Sequence, residues 1–175
     1  MPRPRALLCG LLALAVSGWV GSEAGAQAVE GRFPAHLTDI GGNVLDIEAL
    51  ARDHNLVVVT LKATWCPVCQ RQLVRLLARL PELEACGVTF VVLAPGPAEE
   101  LAAIRERTGF HFPFVADEGL QIARSLGLTL TGQEILPCML QILPGGRIGW
   151  RQLGRNGAYF GDAALEEFFD CSRAV

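Results

Sequence analysis

Lysine is almost missing from this chain. Lys62 is the only one, and arginine supplies the rest of the positive charge. With a formal net charge of −3 and no Lys/Arg cluster, the chain has no basic field for the phosphates of a nucleic acid. Histidine is scarce too: His36, His54 and His111 are scattered, and no second CxxC accompanies the one at Cys66 and Cys69. A structural zinc site needs further Cys or His at ligand spacing, so no metal and no cofactor is expected. Repeats and low-complexity stretches are lacking. A composition of 51% hydrophobic and 19% charged residues excludes a disordered chain. At 175 residues there is enough chain for one domain with a real core.

The N-terminus reads as a targeting segment. Arg3 and Arg5 give a positive start, Ala6 to Val20 is apolar, and a small-residue stretch ends in Ala26-Gln27-Ala28. That order is the one of a secretory signal. Residues 1–28 are therefore read as a signal peptide cleaved after Ala28, and residues 29–175 as the working domain. The apolar run is short for a spanning helix; an uncleaved anchor is the alternative, and the only route to a membrane. Cys9 has no small residue before it and reads as a bystander in the apolar run. Export implies an oxidising compartment: secreted, periplasmic or the lumen of the secretory pathway, with a membrane-tethered form as the alternative. Five cysteines remain after cleavage, Cys66, Cys69, Cys86, Cys138 and Cys171. The number is odd, so at least one is free or pairs between chains.

The chain is organised around Lys62-Ala-Thr-Trp-Cys-Pro-Val-Cys-Gln-Arg71. The apolar, β-branched run Leu56 to Leu61 precedes it and a helical pattern from Gln70 to Leu80 follows, so the cysteine pair falls where a buried strand hands over to a helix. The first turn of a helix carries unpaired N–H groups and a partial positive charge, which stabilise a thiolate and make it a nucleophile near neutral pH. Pro67 suits that turn, having no N–H to leave unpaired. This predicts Cys66 exposed at the helix tip and Cys69 one turn further in. From there Cys69 can close a small disulfide or attack a mixed disulfide on Cys66. A merely structural role fits less well, because a two-residue loop constrains the unfolded chain little.

Along the chain, His36 to Ile40 and Asn43 to Asp46 read as a hairpin around Gly41-Gly42. Asp46 caps a helix from Ile47 to His54. Leu56 to Lys62 and Val88 to Leu93 read as buried strands. The helix after the cysteines puts Leu73, Leu76, Leu77 and Leu80 on one face and Arg71, Arg75 and Arg79 on another, with a break at Pro81. Ala98 to Thr108 is helical, with Leu101, Ile104 and Ala102 inward and Gly109 at its end. Phe110 to Val115 is extended, Asp117 caps a helix from Leu120 to Leu126, and Thr129 to Glu134 is a break. Cys138 to Leu143 and Arg147 to Leu153 form a second hairpin, and Asp162 caps a last helix from Ala163 to Asp170. Strands alternating with helices, closed by a hairpin, predict an α/β domain with a mixed sheet.

Three pieces of this sequence carry a resemblance. They are Ala63-Thr-Trp-Cys-Pro-Val-Cys69, the segment Glu99 to Leu128, and Leu136 to Gly154. Together, over roughly Phe33 to Phe169, they resemble the redoxin branch of the thioredoxin-like superfamily: the AhpC/TSA-like peroxiredoxins and the TlpA-type thiol–disulfide oxidoreductases, the active-site pattern being most similar to the latter. The resemblance implies a thioredoxin fold: a central mixed β-sheet flanked by helices, with an N-terminal hairpin and an inserted helix after the second core strand. It also implies a cis-proline facing the CxxC. Leu136-Pro137 stands at that place, and a cis bond would leave the Leu136 backbone beside Cys66, ready to pair with a substrate chain. Trp65, Pro67, Leu136 and Pro137 would then line the substrate groove, with Trp65 covering the disulfide.

Two departures matter. Peroxiredoxins resemble one another in a Pro-x-x-x-Thr-x-x-Cys motif and a distant arginine; here Val59, Ala63 and Pro137 fall at those places. On the thioredoxin side, the buried carboxylate or amide six residues before the first cysteine is replaced by Thr60. Lys62 replaces a residue that is usually aromatic; its ammonium either lowers the Cys66 pKa or points to solvent. Cys138 reads as a buried small hydrophobe, with a third redox thiol as the alternative, and Cys86 and Cys171 as structural or unpaired. The reading is an enzyme, a thiol–disulfide oxidoreductase in which Cys66 attacks and Cys69 resolves. Its partners are protein thiols and disulfides and a reducing partner. A peroxiredoxin-like antioxidant using Cys66 is the second reading, and a binding module with a static disulfide the third.

Overall fold

The computed structural model describes residues 31–154 and 162–169. The targeting segment, Cys9 and Cys171 lie outside them.

The chain enters through a short hairpin, β1 (His36–Thr38) antiparallel to β2 (Val44–Asp46). Asp39 closes its turn, its carboxylate accepting from the Gly41 and Asn43 amides at 2.8 Å each. Asp46 caps α1 (Ile47–Asp53), as expected, by accepting from the Ala49 amide at 2.9 Å. Then comes β3 (Asn55–Thr60), whose last five residues are all buried. Such a run is buried on both faces, and β3 sits in the middle of a five-stranded sheet of order β5-β4-β3-β8-β9. Its parallel neighbour is β4 (Val88–Ala94), followed by β5 (Phe114–Ala116). Its antiparallel neighbour is β8 (Cys138–Leu143), which pairs in turn with β9 (Arg147–Leu153) across a 3₁₀ turn at Pro144–Gly146.

Helices cover both faces. Val57 and Val59 of β3 point to a core shared with α2 (Pro67–Ala78), α3 (Leu80–Ala85), α4 (Ala98–Thr108) and α6 (Asp162–Phe169). Phe90, Phe110 and Phe114 supply its bulk, their rings edge to face. Leu56 and Val58 point the other way, to α1 and α5 (Gln121–Ser125). Each fully buried aliphatic side chain contributes about 1.5–3 kcal/mol by leaving water, so alternation along β3 stabilises both layers at once.

Several expectations are corrected. The helix after the cysteines begins at Pro67, not Gln70, because Cys66 itself caps it. The break falls at Arg79, and Pro81 sits inside the first turn of α3, where its missing N–H removes no bond. Ala102 is exposed while Leu101 and Ile104 are buried. The expected break from Thr129 to Glu134 is a small hairpin of its own, β6 (Thr129–Thr131) with β7 (Glu134–Ile135). Threonine suits an extended strand, and Gly132 turns the chain. Asp162 is the first residue of α6, and its expected capping side chain lies outside the described residues.

Candidate active site

The site lies where β3 ends and α2 begins. Cys66 and Cys69 are joined by a disulfide, with their Cα atoms 5.4 Å apart. Cys66 is the N-cap of α2, and its sulfur accepts from the Cys69 amide at 3.3 Å. The sulfur of Cys69 accepts from the Lys62 amide at 3.4 Å. Each sulfur therefore faces one backbone N–H, which would stabilise the thiolate formed on reduction. No acidic residue stands in the first turn of α2, so nothing there competes for the positive end of the helix dipole. Cys66 is less accessible than expected, at 7% exposure against 0% for Cys69. The order of access holds, but both cysteines are buried and belong to the core packed under α2.

Loop and helix are tied together. The Gln70 amide group donates to the Thr64 carbonyl at 3.0 Å, and the Arg107 guanidinium of α4 donates to Gln70 at 3.4 Å. Across the loop stands the Pro95-Gly96 turn. Gly96 has φ +101°, and a Cβ there would meet the Thr64 methyl at 2.8 Å, so only glycine fits. Between this turn, the Ala63–Trp65 loop and the β6–β7 hairpin lies a cavity of about 300 Å³, with Thr131, Gln133 and Glu134 on its far wall. Trp65 is 65% exposed and forms an outer wall of that cavity rather than part of the core. Lys62 neither stands free in solvent nor is paired with a cysteine. Its ammonium lies 3.3 Å from the Glu134 carboxylate and 5.0 Å from the centre of the Trp65 ring. This pair holds the hairpin against the active-site loop.

The floor of the site departs from expectation. The Leu136–Pro137 bond is trans. Thr60, fully buried, donates its hydroxyl to the Leu136 carbonyl at 2.7 Å and accepts from the Cys138 amide at 2.7 Å. The Leu136 amide donates to the Leu128 carbonyl at 2.6 Å, and the Pro137 carbonyl accepts from the Gly154 amide at 2.8 Å. Every polar group flanking the proline is thereby satisfied with the ordinary trans geometry, and Pro137 simply opens β8. Thr60 also explains Cys138. The thiol lies 3.3 Å from the Thr60 hydroxyl, and burial pushes its pKa up to about 12. It is a free, buried thiol whose ionisation is disfavoured by that burial. Cys86, at the end of α3, is disulfide-bonded. His54 and His111 are exposed. Among the described residues no three His, Cys, Asp or Glu side chains gather as metal ligands.

The residues that sequence reasoning missed are Gln70, Gly96, Gln133 and Glu134. A glycine between two prolines, Pro95-Gly96-Pro97, was the available signal for the first wall of the cavity. Nothing local marks Glu134 as the partner of Lys62, which is distant in sequence.

A sheet with three parallel strands and an antiparallel hairpin, helices on both faces and a CxxC at the N-terminus of the helix after the central strand is a thioredoxin-like domain. Residues 26–151 match the model of the AhpC/TSA family, and the chain belongs to that family. A thioredoxin-like protein AAED1 of the Arabidopsis thaliana chloroplast is 24% identical over 149 residues, covering 79% of this chain. The chain spans 60% of the length of that relative. Among solved structures, peroxiredoxin Q of Xanthomonas campestris superposes with a TM-score of 0.67 at 21% identity, over 82% of this chain and 94% of its own. A secreted Mycobacterium tuberculosis disulfide oxidoreductase homologous to E. coli DsbE superposes with a TM-score of 0.59 at 16% identity, over 80% and 95%. The chain is thus a member of the AhpC/TSA family with a thioredoxin-like fold.

Proposed function

We propose that this redoxin is a thiol–disulfide oxidoreductase that works through Cys66 and Cys69. The observation that supports this best is the disulfide across the first turn of α2, each sulfur met by a backbone amide. In the reduced protein the Cys66 thiolate attacks a substrate disulfide and a mixed disulfide forms. Cys69 then attacks Cys66, the second substrate thiol leaves, and the Cys66–Cys69 bond is remade. The same residues run the reverse direction, oxidising substrate dithiols, and the reduction potential relative to the partner selects between them. Trp65 and Pro67 flank the reacting sulfur; Leu136 and Pro137 form the floor. Partners are protein thiols and disulfides, together with a reducing partner that resets the pair. The N-terminal segment 1–28 is proposed to export the chain, so that it works outside the cytosol. N-terminal sequencing of the exported protein checks this, with Val29 first as the expected result.

Trapping tests the chemistry. Cys69→Ser should accumulate mixed disulfides through Cys66, visible as adducts on non-reducing gels, and Cys66→Ser should form none. Adducts carried by Cys138 instead would overturn the assignment.

The family match also favours a second reading, peroxide reduction by Cys66. Rapid mixing of the reduced protein with a hydroperoxide, followed through Trp65 fluorescence, separates the two. Oxidation at the pace of a simple low-pKa thiol is the expected result. Oxidation many orders faster would put peroxide reduction first.

A further inference from the structure

Lys62 is held on three sides. Its amide donates to the Cys69 sulfur at 3.4 Å. Its carbonyl accepts from the Ile135 amide at 3.1 Å. Its ammonium lies 3.3 Å from the Glu134 carboxylate and 5.0 Å from the centre of the Trp65 ring. Glu134 and Ile135 together are β7, so this short strand grips Lys62 by backbone and by side chain at once. Lys62 itself lies past the end of β3, outside the ladders to β4 and β8. The orientation of the residue whose amide meets Cys69 thus rests on β7 rather than on the central sheet.

Two roles are open to the side chain of Lys62. A hydrogen bond to an ionised sulfur favours the thiolate, and so does a nearby positive charge. The amide is already placed for the first. The ammonium is engaged by a carboxylate, which offsets its charge, so it serves the second poorly and is well placed to hold geometry.

We propose that Glu134 is a positioning residue for Cys69: by fastening Lys62 it keeps the Lys62 amide on the Cys69 sulfur, and so keeps Cys69 ionisable for its attack on the mixed disulfide at Cys66. The proposal rests on the thiol–disulfide reading above. In the step it serves, the Cys69 proton passes to solvent and the Cys69 sulfur bonds to the Cys66 sulfur. The substrate sulfur leaves with the electron pair of the broken bond and takes up a proton. Glu134 acts through Lys62, not on a reacting atom.

Position and charge give opposite patterns. Acting by charge, Lys62→Met raises the Cys69 pKa, and Glu134→Gln, which unmasks the ammonium, lowers it. Acting by position, both variants raise it, and the double variant does no more than either alone. The measurement is thiolate absorbance against pH in the Cys66→Ser background, with the same protein carrying Cys69→Ser as the blank, so that the difference belongs to Cys69. Both variants should cut the thiolate fraction at pH 7 about twofold to fivefold, the range of a partly exposed ion pair. Lys62→Arg keeps the pair and should stay within about twofold of the parent.

Ring closure gives a second readout. The reduced full chain, mixed with dithiobis(nitrobenzoate), should release one nitrothiobenzoate as Cys66 attacks and a second as Cys69 closes the disulfide. Glu134→Gln should slow the second phase about twofold to fivefold and leave the first within about twofold. A lowered Cys69 pKa in Glu134→Gln, or an unchanged one in both variants, overturns the proposal and leaves the exchange reading intact. A parent protein that never releases the second equivalent overturns the exchange reading, and with it the role given to Cys69.

Discussion

Two cysteines in one chain behave differently because of what surrounds their sulfurs. Cys66 sits at the positive end of a helix and accepts from an amide. Cys138 lies in the core between β3 and β9, where burial makes ionisation expensive. The raised pKa of Cys138 has a consequence for stability. The unfolded chain loses this proton near the ordinary value of 9.0, while the folded chain keeps it up to about 12. Below pH 9 the two states bind the same proton and stability is unaffected by it; between pH 9 and 12 the unfolded state gains by ionising, and stability falls as pH rises. The accompanying expectation is kinetic. At pH 8 the Cys138 thiol of the native protein should resist iodoacetamide, and it should be modified promptly in denaturant. Mass spectrometry of the labelled peptide reads this directly; rapid labelling of the native protein would return Cys138 to the list of reactive thiols. Its neighbour Thr60 was legible as a departure from the family pattern, but its use was not. A hydroxyl can donate and accept at once, and which groups it joins depends on a strand, β8, far away in sequence.

At the scale of the element, α2 is the device that activates Cys66. Its first turn holds Pro67 at the first position and no acid. Pro67→Glu, at an exposed site, would place a carboxylate against the same N-terminal amides and beside the forming thiolate. The Cys66 pKa should rise and the rate of alkylation at pH 7 should drop, by roughly twofold to fivefold on the usual size of a helix-terminus charge effect. A pH profile of thiolate absorbance in the Cys69→Ser background measures it. An unchanged pKa would mean that the dipole of α2 contributes little, and that the Cys69 amide alone sets Cys66. This element was read from sequence almost whole, its start misplaced by three residues because a cysteine serves as the cap. The hairpin of β6 and β7 was not read at all. Its strands are too short for periodicity to speak, and it is held in place by tertiary bonds: the Ile135 amide to Lys62, and Lys62 to Glu134.

At the scale of the whole molecule, both hydrophobic layers share the same strands. Leu140 of β8 faces α1 and α5, and Met139 beside it faces α2. Neither layer can be lost without exposing one face of β3. Leu140→Ala in one layer and Leu73→Ala in the other should each destabilise the protein by about 2–5 kcal/mol. Both should move the far-UV and near-UV melts together, as one transition. Separate melts for the two spectral windows would show that the layers unfold independently.

What the sequence by itself determined is local in origin: the buried run of β3, the capped helices, the two glycine-centred hairpins, and a cysteine pair at a helix start. Each follows from the residues within about one turn or one strand of it, where propensity and hydrophobic period are enough. The tertiary structure alone decided what surrounds that pair. It set the trans bond at Pro137 beside the Thr60 hydrogen bonds, the tethering of Lys62 to Glu134, the burial of the disulfide, and the cavity beside Trp65. These are contacts between segments brought together only when the sheet closes, and the partner of each polar group is chosen by that closure rather than by its neighbours in the chain.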